Sequence, residues 1–548
     1  MCGISGIVGR NWNGAQLNAM RMSHRGPDAR GVWVDGIVGL AHDRLAIIDL
    51  ETGTQPMHSA DGNLVIVFNG EIYNYLELKA ELDYPWQTAS DTEIILAAYE
   101  KWGAKCLDKF IGMFALAIWN VREQSLFLAR DRFGVKPLYY AYRDGNIFFA
   151  SEIKALWAAG FERQPEEITF ADYLAKGLYN ETPFTFWQGI YELGAGEYMV
   201  WKNNRPMYTK WYELDVETDK RPIAEVEEEY LALMRDAVKI RFRSDVPVGV
   251  NLSGGLDSSV LLALVDEIQP GCSAFTFATN TEYDEDTYIQ PFIGNHPWVI
   301  ERTFPDEIPD LAYRVQNAQD EPYGGIPTLT YAKLFSRCRA SGAIVVLDGN
   351  GMDEQMGGYD YYARKDGALI QGGYDSPTRP DCLLPAFREL ADEGKIKPIK
   401  HLRDMQVRDI TRTKLPHALR FNDRISMMSS VELRNPFMDH RLIELALRQP
   451  DNRKIKGGAH KWMLRDIAKR ILPAGVVEAP KRPVQTPQRE WLRGELRYWA
   501  EREISLAMDK FGGKWFNPEA VYREWDAYCN GKGDNSFFVW QWITLGML

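Results

Sequence analysis

Cys2 stands where a thiol and an α-amine can act together. Its small side chain permits removal of Met1. The exposed amine, with a pKa of about 7.7–8.0, then serves as a built-in base for the thiol. Further along come His24-Arg25-Gly26-Pro27-Asp28, Arg44-Leu45-Ala46-Ile47-Ile48, Asn69-Gly70-Glu71 and Ser90-Asp91. Each has an ordinary structural reading: Asn-Gly is a hairpin turn, Asp91 complements a helix dipole, and Arg44 pairs with a carboxylate. Together they supply an amide-cleaving thiol site. Asn69 and the Gly70 N–H form an oxyanion hole. Arg44 holds an amino-acid carboxylate, and Glu71 with Asp91 holds its ammonium.

A second constellation begins at residue 253. The run Val246–Leu252 reads as a strand feeding Ser253-Gly254-Gly255-Leu256-Asp257-Ser258-Ser259, and the apolar helical run Val260–Val265 follows. Strand, Gly-rich turn and helix aim backbone N–H groups and a positive helix end at phosphate. No Gly-Lys-Ser/Thr follows, so this is not a Walker A loop. Asp257 is suited to Mg²⁺ on the phosphates. Another strand, Ala343–Leu347, runs into Asp348-Gly349-Asn350-Gly351-Met352-Asp353-Glu354. This places polar groups at a strand's carboxyl end, where open α/β sheets bind ligands. Phe275-Thr276-Phe277 is a third short strand. Asp423-Arg424, Val431–Asp439 and Lys461–Arg465 read as helix-rich, and most of their charge as solvated.

The elements around these groups divide the chain in two. Gly31–Val34, Leu64–Phe68, Phe114–Trp119, Ser125–Ala129 and Asn146–Ala150 read as short strands. Ser90 with Glu93 is a capping box, opening a helix that presents Ile94, Ile95, Ala98, Tyr99 and Trp102 on one face. The charged stretch 213–224 is the expected linker. The chain has 548 residues, 45% hydrophobic and 26% charged, which excludes wholesale disorder. A net charge of −12 argues against a sequence-independent nucleic-acid binder. No apolar run reaches the length of a membrane span and no secretory leader is evident, so a cytoplasmic protein is expected. Six scattered cysteines without a Cys-x-x-Cys pair exclude a zinc ribbon, and the eight histidines show no metal-ligand spacing.

Residues 2–212 resemble the class II glutamine amidotransferases, through Cys2-Gly3-Ile4, His24–Asp28, Asn69–Glu71 and Arg130-Asp131-Arg132-Phe133-Gly134-Val135-Lys136-Pro137-Leu138-Tyr139. The resemblance implies an αββα N-terminal-nucleophile hydrolase sandwich in which Cys2 attacks the glutamine amide. It assigns the oxyanion to Asn69 and Gly70, and glutamine to Arg44–Ile48, Asn69–Glu71 and Asp91. Residues 225–548 resemble the synthetase domain of the asparagine synthetases, through Ser253–Ser258, Gly349-x-Gly351-x-Asp353-Glu354 and Arg434-x-Pro436-Phe437-x-Asp439. That resemblance implies a doubly wound parallel sheet of ATP-pyrophosphatase type with added helices. It assigns ATP to Asn251–Ser258, Phe277, Asp348 and Gly349, and Mg²⁺ to Asp257 and Asp353. The acceptor and adenylate fall to Asn350, Asp353, Glu354, Arg424 and Lys481. A carboxylate, aspartate in the family, would be adenylated and then amidated by ammonia delivered along an internal channel. A homodimer is the family expectation.

Two departures bear on the acceptor. Aspartate-using relatives usually carry Ser-Gly-Glu-Gly where this chain has Asp348-Gly349-Asn350-Gly351, and Asn350 cannot act as a base. Pro483-Val484-Gln485-Thr486 replaces the usual Gly-Phe run after the lysine. Amidation of a uronic acid or a secondary-metabolite carboxylate is therefore the rival reading. Other amidotransferases that share the first half would lack Ser253–Ser258.

Overall fold

The computed structural model describes residues 1–179, 183–214, 217–363, 377–391, 399, 401–480, 485–533 and 535–548. Alternation of side chains along its strands decides the first half. In strand Leu64–Ile72, Val65 and Val67 face one core, while Leu64, Ile66 and Phe68 face another. Strand Gly112–Asn120 splits the same way, Ala115, Ala117 and Trp119 against Phe114, Leu116 and Ile118. A sheet apolar on both faces needs two covers. One is a second sheet. The other is helix Asp91–Trp102, which packs Ile94, Ile95 and Ala98 inward.

The first sheet runs Arg205–Lys210, Glu197–Lys202, Ser125–Arg130, Gly112–Asn120, Leu64–Ile72, Met57–His58. The sheet facing it runs Ile190–Glu192, Tyr139–Arg143, Asn146–Ala150, Gly3–Val8, Val38–Arg44, Ala29–Asp35. Helices Gly14–Ala19 and Ile153–Ala158 back the second sheet. The layers are thus helix, sheet, sheet, helix, as the resemblance implies. One local expectation fails. Ser90 caps its helix by accepting from the Thr92 N–H at 3.2 Å, but Glu93 accepts from the Gln87 and Thr88 N–H groups, each at 2.8 Å. The capping box does not close, because the preceding turn offers Glu93 two donors at once.

The connection between the halves is shorter than expected, since helix Ile223–Arg241 begins inside the stretch 213–224. Beyond it lies a five-stranded parallel sheet ordered Trp298–Arg302, Ser273–Ala278, Val248–Asn251, Val345–Leu347, Glu432–Arg434. From Val248–Asn251 the chain steps outward twice, then returns to that strand's other side with Val345–Leu347. This reversal is a topological switch point, where a cleft opens at the carboxyl ends. The segment Val431–Asp439 is not helical. It forms the edge strand Glu432–Arg434 and a short 3₁₀ turn at Pro436–Met438. Glu432 and Arg434 are wholly buried rather than solvated, because pairing with Val345 and Leu347 carries them into the seam between the halves. None of the described helices is long and apolar enough to cross a membrane.

That seam is held by buried ions. The Arg25 guanidinium donates to the Cys2 carbonyl at 3.0 Å, to Glu152 at 2.8 Å and to Asp423 at 2.8 Å. Lys136 also reaches Asp423, at 3.4 Å, and Arg424 lies 3.1 Å from Glu152. Asp131 shapes the turn that delivers Lys136, accepting from the N–H groups of Phe114, Phe133, Val135 and Lys136. Asp423 and Arg424 come from the second half, and the other members of the network from the first. Removing one member of a buried ion network strands its partners, at about 3–5 kcal/mol. Arg25→Met is therefore expected to lower the urea unfolding midpoint and to expose the seam to limited proteolysis. A wild-type midpoint would contradict this role.

Candidate active sites

The first site forms where strand Gly3–Val8 begins. The Cys2 N–H donates to Asn69 Oδ1 at 3.0 Å, and the thiol lies 3.8 Å from the Leu45 carbonyl. Asn69 Nδ2 is buried without a hydrogen-bond partner, which leaves a donor aimed into the site. Gly70 has a φ of 153°, and a Cβ there would meet the Met113 carbonyl at 2.0 Å, so glycine is required. Burial pushes the Cys2 thiol up, against the lowering pull of the Met1 ammonium.

Glu71 is buried with Oε2 unpartnered. Asp91 accepts from the Ile72 N–H at 2.9 Å, and burial pushes its carboxyl up to about 6. Arg44 donates to the Asp49 and Leu50 carbonyls, pinning the loop that carries Leu45–Ile48. That loop also docks on the second half. The Asp245 N–H donates to the Ile47 carbonyl at 2.9 Å, and the Asp49 N–H to Asp245 at 2.8 Å. The residues expected to handle glutamine are thus brought together around Cys2.

The second site is a cavity of about 670 Å³ at the switch point. It is lined by Asn251, Leu252, Ser253, Asp257, Ser258, Phe277, Asp348, Gly349, Asn350, Asp353 and Glu354, among others. Gly254 and Gly255 make the turn, while Leu256 packs into the core behind it. Asn251 donates to Asp348 at 3.0 Å across the two central strands, and burial pushes the Asp348 carboxyl up. The same carboxylate accepts the Asn350 N–H at 3.0 Å, and the Asn350 side chain donates to Asn435 at 3.2 Å. Burial, then the neighbouring Asp353, pushes Glu354 up to about 7.

Two expected members fall elsewhere. Arg424 does not line the cavity. It lies on helix Lys414–Met428, one turn past the cavity wall, fully buried against Glu152 in the seam. Lys481 lies outside the described residues.

Sequence reasoning missed three groups. Lys461, read as solvated, is buried with Nζ 2.5 Å from Asp257 and 2.6 Å from Asp353. Burial opposes its charge, but the two carboxylates carry it above the ordinary lysine value. Its backbone is left-handed, at φ 54°, and no local pattern marks it. Lys414, His417, Ala418 and Phe421 form one cavity wall, and their i, i+3, i+4, i+7 spacing was the available signal. Glu432 and Arg434 reach the first site from the second half, with Arg434 3.4 Å from Glu71.

Among the described residues no group of three or more histidine, cysteine or acidic side chains is arranged to hold a metal ion. Asp257 and Asp353 nevertheless meet on the Lys461 ammonium. Two carboxylates suit Mg²⁺, which is usually held by one or two protein oxygens together with substrate phosphates.

Comparison with known proteins decides the family. A glutamine amidotransferase domain model matches residues 1–212 and an asparagine synthase model matches residues 229–548. The chain belongs to the asparagine synthase family. Asparagine synthetase (glutamine-hydrolyzing) 1 of Bacillus subtilis strain 168 is 29% identical, over 96% of this chain and 91% of that protein. Asparagine synthetase (glutamine-hydrolyzing) 2 of the same organism is 30% identical, over 88% and 71%. The amidase chry2 of Gibberella zeae is 28% identical, over 87% and 85%. As a member of this family the chain is an ATP-dependent, glutamine-hydrolysing ligase.

Two outcomes follow. Protonation of Asp91 as pH falls through about 6 removes the carboxylate that would hold the glutamine ammonium. Glutaminase kcat/KM should then fall roughly tenfold per pH unit on that limb, and a profile flat across it would contradict the assignment. Lys461→Met should lower pyrophosphate release about 10²-fold or more, the scale for losing one preorganised charge-stabilising group. Unchanged release would make the lysine structural only.

Proposed function

We propose that this chain is a glutamine-dependent asparagine synthetase. Cys2 attacks the glutamine side-chain amide, with the N-terminal amine accepting the thiol proton once Met1 is removed. Asn69 Nδ2 and the Gly70 N–H stabilise the tetrahedral oxyanion; its C–N bond then breaks, the nitrogen takes the proton back from the α-amine and leaves as ammonia, and water hydrolyses the γ-glutamyl thioester to glutamate and the free thiol. Glu71 and Asp91 hold the substrate ammonium, and Arg44 holds its carboxylate. The unpartnered Asn69 Nδ2 beside the thiol is the observation that carries this half.

In the second half the Ser253–Ser258 turn receives the pyrophosphate of ATP. Glu285 accepts from the Gly254 N–H at 3.2 Å, as a phosphate oxygen would. Phe277 and Asn251 line the same cavity and would hold the nucleoside. Asp257 and Asp353 would bind Mg²⁺, which offsets the charge that develops on departing pyrophosphate. Lys461 orients both carboxylates. The acceptor carboxylate attacks the α-phosphate, pyrophosphate leaves, and ammonia then displaces AMP from the acyl-adenylate. An apolar cluster drawn from both halves includes Leu45, Met113, Val345, Leu415 and Met438. Ammonia passing along it would stay unprotonated and away from water.

Aspartate is the acceptor this reading favours, on the full-length similarity to the Bacillus synthetases. A second acceptor class, another small-molecule carboxylate, is favoured by Asn350. That side chain is engaged with Asn435 and offers no base, and amidases are among the relatives. AMP release with ATP, Mg²⁺ and glutamine, with and without aspartate, separates the two. Aspartate-dependent AMP with asparagine as product supports the first. Glutamine hydrolysis without aspartate-dependent AMP refutes it in favour of the second. In either case Cys2→Ala should abolish glutamine use while ammonium salts still support amidation. Glutamine-dependent product from that variant would contradict Cys2 as the nucleophile.

A further inference from the structure

One aspartate connects the two groups read as holding the amino-acid end of glutamine. Arg44 commits two of its five N–H donors to the Asp49 and Leu50 carbonyls, at 2.5 and 3.1 Å. The backbone at Asp49 therefore sets where the other donors of that guanidinium point. The Asp49 side chain reaches the opposite way. One oxygen accepts from the Thr52 N–H at 2.9 Å, and the other from the Thr52 hydroxyl at 2.5 Å and the Ala89 N–H at 2.9 Å. Ala89 leads directly into Ser90 and Asp91, where the helix begins. Asp49 thus spans from Arg44 to the segment that carries Asp91.

This backbone needs holding from outside. Asp49 is left-handed, at φ 53°, a conformation that persists in a residue other than glycine only where its surroundings fix it. The fixing contacts come from the second half. The Asp49 N–H donates to Asp245 Oδ2 at 2.8 Å, and the Asp245 N–H donates to the Ile47 carbonyl at 2.9 Å. Two residues earlier, Arg243 grips the first half again, at the Tyr73 carbonyl and at Glu77, 2.5 and 2.6 Å away. Leu45 and Ile47 share an apolar cluster with Ile240, and Val246 packs against it. Asp245 also stands three residues ahead of strand Val248–Asn251, whose far end feeds the Ser253–Ser258 turn.

We infer that Asp49 and Asp245 are positioning residues for glutamine: Asp49 fixes the span between Arg44 and Asp91, and Asp245, supplied by the synthetase half, holds Asp49 in place. The inference rests on reading Arg44 and Asp91 as the groups that hold glutamine. It makes that pocket dependent on the strand that carries the second site's Gly-rich turn.

The test is glutamine hydrolysis by the full-length chain, read as glutamate formed, with the urea midpoint of each variant measured alongside. Asp245→Ala removes an exposed acceptor. It should raise KM for glutamine about tenfold, the scale for losing a hydrogen bond to a charged group. The urea midpoint should stay at the wild-type value and kcat within about twofold, because binding shared by ground and transition states is lost in KM alone. Asp245→Asn keeps an oxygen that accepts the Asp49 N–H, and should return KM to near the wild-type value. Asp49→Ala, which releases Thr52 and Ala89 as well, should raise KM further than Asp245→Ala. An unchanged KM in Asp245→Ala, a loss confined to kcat, or no rescue by Asp245→Asn overturns the inference. Absence of glutamine hydrolysis in the wild type would instead defeat the reading of the glutamine site itself.

Discussion

The two halves of this chain are joined by charges buried between them. Arg25 touches the Cys2 carbonyl with one nitrogen and Asp423 of the second half with others. Glu432 and Arg434 cross in the opposite direction to the N-terminus and Glu71. Ions taken from water tolerate little displacement, because each loses its only compensation when its partner moves. Displacement of one half would leave these ions uncompensated, so the network favours the arrangement that holds Cys2 and Glu71 against the second half.

The same seam leads to the second centre. Helix Lys414–Met428 turns Lys414, His417 and Phe421 into the cavity of the second half, then carries Asp423 and Arg424 into the ionic network. Leu415 and Leu419 on it belong to the apolar cluster that contains Met1 and Leu45. One helix thus borders the cavity, the apolar cluster and the ion network. Its geometry suits a reaction in which a neutral nucleophile made at one end is consumed at the other.

What the sequence made legible was periodic or local. Strands such as Leu64–Ile72 announce themselves by β-branched and aromatic runs, and the Ser253–Ser258 turn by its glycines between a strand and a helix. That polar groups gather at the carboxyl end of a strand followed from where Asp348 falls after Ala343–Leu347; the switch point itself needed the strand order. What stayed hidden depends on distant partners. Lys461 looks like surface charge until Asp257 and Asp353, far off in the chain, fold around it. Glu432 and Arg434 looked solvated because a three-residue edge strand has too little pattern to declare itself. Arg424 shares a helix with the cavity wall, and only tertiary packing shows that its turn has passed into the seam. Glu93 left its capping box for two nearer donors, a contest between alternatives equal in sequence.

The most direct measurement of the joined-centres account is isotopic. The enzyme would turn over amide-¹⁵N glutamine in the presence of a large excess of unlabelled ammonium, with the carboxylate acceptor that supports AMP release. Mass analysis of the amidated product would then report the source of its nitrogen. If ammonia moves through the seam, the product keeps the glutamine label at glutamine saturation. A product whose label matches the diluted bulk pool would show that ammonia escapes to solvent, and the seam would then be structural only.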